Sequence, residues 1–145
     1  MPDALLARIA TALDARALPY MVIGGQPILL YGKPRLTRDI DITLGVEPSS
    51  GVRVDLVFSF TPYESAAIGR SRAIEIGGKP MRYAGPEDLV VHKMLAGRPR
   101  DLEDVRSILV RQPALDRPFI RTQLADFDSA LDRDLVAQFE AILAS

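Results

Sequence analysis

The sequence predicts one α/β or α+β domain whose C-terminal side is helical. Two observations carry this. Short apolar runs separated by turn residues occupy the stretch from Tyr20 to Tyr83. Apolar residues at helical spacing occupy the N-terminus and everything from Pro86 onward. At 145 residues the chain suits one domain, expected over 1–145 with a core at 1–111 and helices at 112–145 packed on it.

Taken in order, Leu5, Leu6, Ile9, Ala12 and Leu13 give residues 3–17 a helical stripe, with Asp3 as a plausible cap. Pro19 closes that helix, and residues 20–23 read as a short buried strand. Gly24-Gly25 break the chain before a second helical stretch at 27–31. Residues 38–44 alternate charged and apolar side chains, the period of a half-buried strand. A turn cluster at 47–51 leads to an apolar strand at 52–60, and 62–68 predicts one or two helical turns. Residues 73–76 and 80–83 read as a hairpin closed by Gly77-Gly78. Helices follow at 86–96, with proline at its tolerated first position, and at about 101–111; two more fill 116–144.

Composition removes several chemistries. Apolar residues are 48% and charged residues 26% of the chain, which excludes a disordered polymer. There is no cysteine, so disulfides, thiolate metal sites and cysteine nucleophiles are excluded; a single histidine excludes multi-histidine zinc sites. A formal net charge of -1 gives no global field to capture a polyanion, so a nucleic acid would need a local basic patch. No apolar run is long enough to span a bilayer and the first residues lack signal-peptide zoning, so no membrane partner and a cytoplasmic location are expected.

The acidic residues of the strands are the informative ones. Asp39 and Asp41 flank Ile40 and leave one face of their strand, while Asp55 sits in the otherwise apolar run 52–60. Carboxylates so close repel and are costly to desolvate, and a divalent cation between them removes that penalty with hard oxygen ligands. Three such acids suit two magnesium ions and an in-line phosphoryl displacement. A solvated strand face, paired with Arg35 and Arg38, is the plainer alternative for Asp39 and Asp41. Gly24-Gly25, between a strand and a helix start, can offer main-chain N–H groups to a triphosphate; simple turn chemistry is the alternative there.

Strand, Gly-Gly, helix, then Arg35-Leu36-Thr37-Arg38-Asp39-Ile40-Asp41 and a later Asp55: this order resembles the minimal nucleotidyltransferases of the DNA polymerase beta superfamily. The later run 86–93, with its Lys93, and the run 98–104, with its arginines and aspartates, make the chain most similar to the AbiEii-type toxin nucleotidyltransferases. The resemblance spans Tyr20 to about Leu109. It implies a small mixed sheet flanked by helices, magnesium (or manganese) as cofactor, a nucleoside triphosphate as substrate, and a tRNA 3′ end or a protein hydroxyl as acceptor, with an antitoxin as a possible partner. Asp39, Asp41 and Asp55 would hold the metals; Gly24, Gly25, Gln26, Arg38 and Lys93 would hold the nucleotide. Gln26 departs from the serine that relatives often carry, which removes one side-chain contact to phosphate.

Lys93 lies at the edge of the stripe of Leu89, Val90, Val91, Met94 and Leu95, where it either snorkels or aims its ammonium at a departing pyrophosphate. His92 falls on the polar face. Asp101 either caps the next helix or joins the site, and Asp104, already inside that helix, is the stronger site candidate. Arg98 and Arg100 form a basic cluster that contacts phosphates or pairs with Asp101 and Glu103. Relatives carry a helical excursion between the two acidic strands, whereas only 45–52 intervenes here. Taken literally, that connection is a hairpin with a loop at 47–49 and Asp41 opposite Asp55; the alternative is a segment lacking from this chain. A catalytically impaired binding or protein-association module of the same fold is the rival to the enzyme.

Overall fold

Residues 20–23 carry apolar side chains on both sides of an extended backbone, and this makes them the centre of the sheet rather than its edge. The computed structural model describes residues 2–35, 41–44, 56–58 and 61–145. Its elements run α1 (Pro2–Asp14), β1 (Tyr20–Ile23), α2 (Ile28–Tyr31), β2 (Asp41–Leu44), β3 (Leu56–Phe58), α3 (Pro62–Arg70), β4 (Arg72–Ile76), β5 (Lys79–Tyr83), α4 (Pro86–Ala96), α5 (Pro99–Arg111), α6 (Arg117–Leu131) and α7 (Leu135–Ala144). This is the mixed α/β class and the element order that the sequence predicts. The chain divides into two units, Met1–Gln26 with Thr37–Gly85, and Pro27–Leu36 with Pro86–Ser145.

The first unit holds a five-stranded mixed sheet in the order β3-β2-β1-β5-β4. β1 is antiparallel to β2 and parallel to β5, and β4 and β5 form the expected hairpin. Gly77 and Gly78 both have positive φ, 57° and 77°, the backbone that a two-residue turn matched to strand twist requires. Along β1 the faces alternate. Tyr20 and Val22 pack with Ile42, Met81, Tyr83 and the stripe Leu6, Ala10 and Leu13 of α1. Met21 points the other way, to Ala67 and Ile68 of α3 and to Ala84, with Ile23 and Tyr63 beside them. α3 is held at its start by a reciprocal pair: Glu64 N–H donates to Thr61 Oγ1 at 3.2 Å and Thr61 N–H donates to Glu64 Oε2 at 3.1 Å.

Two expectations change. The helix predicted to reach residue 17 ends at Asp14, because the Leu18 amide turns back to the Leu13 carbonyl (3.1 Å) and the Ala17 amide to Asp14 (3.0 Å), with Ala17 in the left-handed region at φ 52°. The hairpin between the acidic strands is overturned. β2 and β3 run parallel, with Ile42 beside Leu56, Thr43 beside Val57 and Leu44 beside Phe58. Parallel pairing requires the chain to return along the strand before β3 starts.

The second unit is helical, built on its own core of Leu89, Val90, Met94, Val105, Ile108, Leu124 and Phe139, all fully buried. Within it α4 packs on α5 and α6, α6 on α7, and α2 on α5. No helix among the described residues is long and apolar enough to cross a membrane.

Candidate functional site

In the sheet unit the site is a glycine turn facing an acid. Residues 24–27 form the turn after β1. Gly24 has φ +73°, a conformation that side-chain-bearing residues avoid. A Cβ built on it would fall 2.2 Å from Oδ2 of Asp41 and 2.9 Å from its Cγ, so Asp41 lies directly against bare main chain. Strand register explains the meeting: Asp41 is the cross-strand neighbour of Ile23, the last residue before the turn. Gly25 is buried, and Gln26 is 5% exposed. The helix behind the turn is a single turn, Ile28–Tyr31, with Pro27 at its N-cap and no side-chain cap bond. Any anion here would therefore be met by turn amides rather than by a helix dipole.

The donor chemistry of Asp41 fits a hard divalent cation, and the glycine keeps its carboxylate uncrowded by a side chain from the turn. Among the described residues no group of three or more histidine, acidic or cysteine side chains comes together for a metal. Asp39, Asp55 and Arg38 lie outside the described residues.

The helical unit brings together five charged side chains. Lys93 on α4 is buried, and its Nζ lies 3.1 Å from Oδ1 of Asp101 and 2.9 Å from Oδ2 of Asp104. Asp101 and Asp104, three residues apart on α5, therefore share one ammonium. Each also holds an arginine. Arg35 donates to Asp104 through a two-pronged fork, Nε to Oδ1 at 3.0 Å and Nη2 to Oδ2 at 2.9 Å. Arg98 donates from Nε to Oδ2 of Asp101 at 2.7 Å, and its main-chain N–H reaches the same oxygen at 3.2 Å.

From the first turn of α5 Asp101 accepts the main-chain N–H of the N-cap residue Arg98, the helix-start role that the sequence offers for it, and it also binds Lys93. Snorkelling is overturned for Lys93, whose ammonium is drawn inward by two carboxylates. His92 is half-buried and Arg100 exposed. Arg35, which the sequence offers as a partner for the strand acids or as part of a local basic patch, binds Asp104, 69 residues away. No local spacing signals that pair.

The electrostatics follow from the contacts. Burial pushes the carboxyl of Asp101 up, but Arg98 and Lys93 outweigh it and hold the group below its usual value. Asp104 is likewise raised by burial and carried below its usual value by Arg35 and Lys93. Asp104 in turn raises the pKa of Arg35.

The sequence matches no protein-family model, and none of the curated proteins matches it. Solved structures do match. One is an antigenic nucleotidyltransferase-like protein from Paracoccidioides brasiliensis, with a TM-score of 0.56 at 16% identity over 98% of this chain and 91% of that one. Likeness at that identity speaks to the backbone, and it agrees with the mixed sheet and the element order above. The chain has a nucleotidyltransferase-like fold.

Proposed function

We propose that this chain is a magnesium-dependent nucleotidyltransferase of the polymerase-beta type, AbiEii-like and cytoplasmic, that moves a nucleoside monophosphate from a triphosphate to a tRNA 3′ end or a protein hydroxyl. The observation that carries this reading is the contact of Asp41 with the left-handed Gly24. It joins the two features the chemistry needs, an acid for the metal and a turn that can approach phosphate, across 17 residues of sequence. The fold likeness supports the same class.

In the reaction the acceptor hydroxyl oxygen forms a bond to the α-phosphorus while the bond to the β-phosphate bridging oxygen breaks. Pyrophosphate leaves with that electron pair, and the hydroxyl proton passes to water. Asp39, Asp41 and Asp55 would hold the metal, which would neutralise phosphate charge and lower the pKa of the acceptor hydroxyl. Gly24, Gly25 and Gln26 bind the triphosphate with Arg38, the glycines through main-chain N–H groups. Lys93 and Asp104 belong to the charged support of the phosphate end. A toxin–antitoxin role, with an antitoxin as partner, belongs to the same reading.

Each labelled nucleoside triphosphate, incubated with the protein, magnesium and total tRNA, tests it. Label from at least one nucleotide is expected to appear on RNA or on the protein, and Asp39→Asn with Asp41→Asn is expected to abolish it. Transfer falls with salt, with a shallow slope, because only a local basic patch is available. Binding of a triphosphate with no transfer would replace the enzyme by a nucleotide-binding module.

A further inference from the structure

Beside the start of β1 the sheet unit holds a cavity of about 460 Å³, a volume within the range of small-molecule sites. Every residue that lines it belongs to that one unit. Asp14, Leu18, Pro19 and Tyr20 contribute from the end of α1 and the passage into β1, Ile68 from α3 and Arg82 from β5. Tyr20 opens β1 and Gly24 follows its last residue, so this cavity and the glycine turn stand at opposite ends of one strand. The proposed nucleotide chemistry uses none of these side chains.

The polar groups here are only half used. Arg82 is anchored by one edge of its guanidinium: Nε donates to Oγ of Ser71 and Nη2 to the Ser71 carbonyl, both at 2.9 Å. Ser71 is itself buried, and its hydroxyl donates to the Ile68 carbonyl. A guanidinium has five N–H groups, and the two on Nη1 find no acceptor among the described residues. Tyr20 is 3% exposed, and its hydroxyl oxygen accepts the main-chain N–H of Arg82 at 3.4 Å. The hydroxyl hydrogen has no acceptor among the described residues, a costly state for a buried donor. Burial pushes the Tyr20 hydroxyl above its usual pKa, so it stays a donor.

These donors suit a carboxylate. Asp14 is exposed and close enough for its charge to act on Tyr20, so it would repel a bare anion and attract a cation. Leu18, Pro19 and Ile68 add an apolar wall. One fixed cation, one fixed anion and an apolar wall together match a zwitterion with an apolar body.

We infer that this cavity binds an amino acid with an apolar side chain. Nη1 of Arg82 and the Tyr20 hydroxyl take its carboxylate, Asp14 takes its ammonium, and Leu18, Pro19 and Ile68 take its side chain.

Titration of the isotope-labelled full chain with L-leucine, and separately with L-phenylalanine, followed by amide NMR shifts without nucleotide or metal, tests this. Shifts are expected at Leu18, Tyr20, Gly69 and Arg82, and not at Gly24 or Gly25. Each amino acid is expected to bind about tenfold more tightly than its deaminated acid, isocaproate or hydrocinnamate, which brings no partner for Asp14. Tyr20→Phe keeps the ring in the core and removes only the hydroxyl. It is expected to weaken binding about tenfold, the scale of one hydrogen bond to a charged group. Asp14→Asn, at an exposed position, is expected to weaken the amino acid and strengthen the deaminated acid. A merely structural role for Asp14 does not reverse preference in that way.

Absence of shifts with both amino acids overturns the inference, as do shifts centred on the glycine turn. Equal affinity for an amino acid and its deaminated acid overturns it too, and so does wild-type affinity in Tyr20→Phe. Failure of nucleotide transfer leaves this site untouched, so the two readings fall separately.

Discussion

Asp41 and Asp104 are both carboxylates that the fold withdraws from bulk water, and they are held in opposite ways. Asp41 is half-buried at the start of a strand, with the main chain of Gly24 against it. Asp104 is buried on a helix, with a lysine and an arginine fork on its oxygens. In the sheet unit a glycine removes the side chain that would crowd the acid. In the helical unit opposite charges satisfy the acid. The first arrangement suits an acid that must accept a cation from outside. The second suits charges whose work is to fix one another, and buried charges need such partners because desolvation alone is prohibitive.

The largest effect expected from this contrast is on Lys93. Whether Lys93 snorkels or aims its ammonium at pyrophosphate, the sequence reading makes Lys93→Met a change without cost to stability. In the structure it leaves two buried carboxylates three residues apart without their shared cation. Breaking a buried pair typically costs about 3–5 kcal/mol, and the low end, about 3 kcal/mol, is expected because each carboxylate keeps an arginine. Urea denaturation measures it. A loss below about 1 kcal/mol would show that the network contributes little to the native state. Lys93→Met with Asp104→Leu is expected to recover part of the loss, since fewer charges then lie buried.

Gly24 sharpens the other side of the comparison. Gly24→Ala places a Cβ within 2.2 Å of Asp41 Oδ2 and forces alanine into φ +73°. The left-handed backbone alone costs about 1–2 kcal/mol, and displacement of Asp41 adds to it. With Asp41→Gly in the background, the steric part disappears and the backbone part stays. Equal cost in both backgrounds would mean that the acid does not press on the turn. Metal binding, if Asp41 carries it, is expected to weaken in Gly24→Ala with Asp41 intact.

How far these sites were legible in the sequence follows from the range of each interaction. The element order, the Gly77-Gly78 hairpin and the burial of both faces of β1 are local consequences of apolar period and turn residues, and they were legible. The glycine turn and Asp41 were legible as separate features, because each carries its own signal within a few residues. The network around Lys93 was only half legible. Asp101 and Asp104 stand at helical spacing, but the Arg35–Asp104 fork joins residues 69 apart, and an arginine in a loop carries no mark of which acid it will meet. Strand direction failed for the same reason. A short connection rich in Pro, Ser and Gly suggests a hairpin, while the parallel register of β2 and β3 is set by the sheet they join.

Acid separates the two regions next. Asp101 and Asp104 are held below their usual values in the folded chain, so their stabilisation is fully present above about pH 4, where both are ionised even when unfolded. It is lost as pH falls through the lower folded values, because protonation removes the acceptors of Lys93, Arg35 and Arg98. Urea melts of the full chain between pH 2 and 6 are expected to show that loss, and Asp104→Asn is expected to flatten it. An unchanged slope in Asp104→Asn would place the acid sensitivity elsewhere.

The smallest expected effect is the most specific. Asp41 is read as a metal ligand and the helical network as closed to metals, because Asp101 and Asp104 already hold Lys93 and an arginine each. Magnesium or manganese is therefore expected to raise the melting temperature through the sheet unit alone. Linkage gives about 1.4 kcal/mol at ten times the dissociation constant, a shift of a few degrees for a chain of this size. Asp41→Asn is expected to abolish that shift and to leave the metal-free protein as stable or more so, since a half-buried side chain then carries no charge. Asp104→Asn destabilises the metal-free protein by uncoupling Arg35, yet it is expected to keep the metal-induced shift. The two carboxylates thus exchange effects: one variant loses the response to metal without losing stability, and the other loses stability without losing the response. A shift that survives Asp41→Asn, or that disappears in Asp104→Asn, would reverse the assignment of roles, since it would mean that the acid held by cations is the one that accepts the metal.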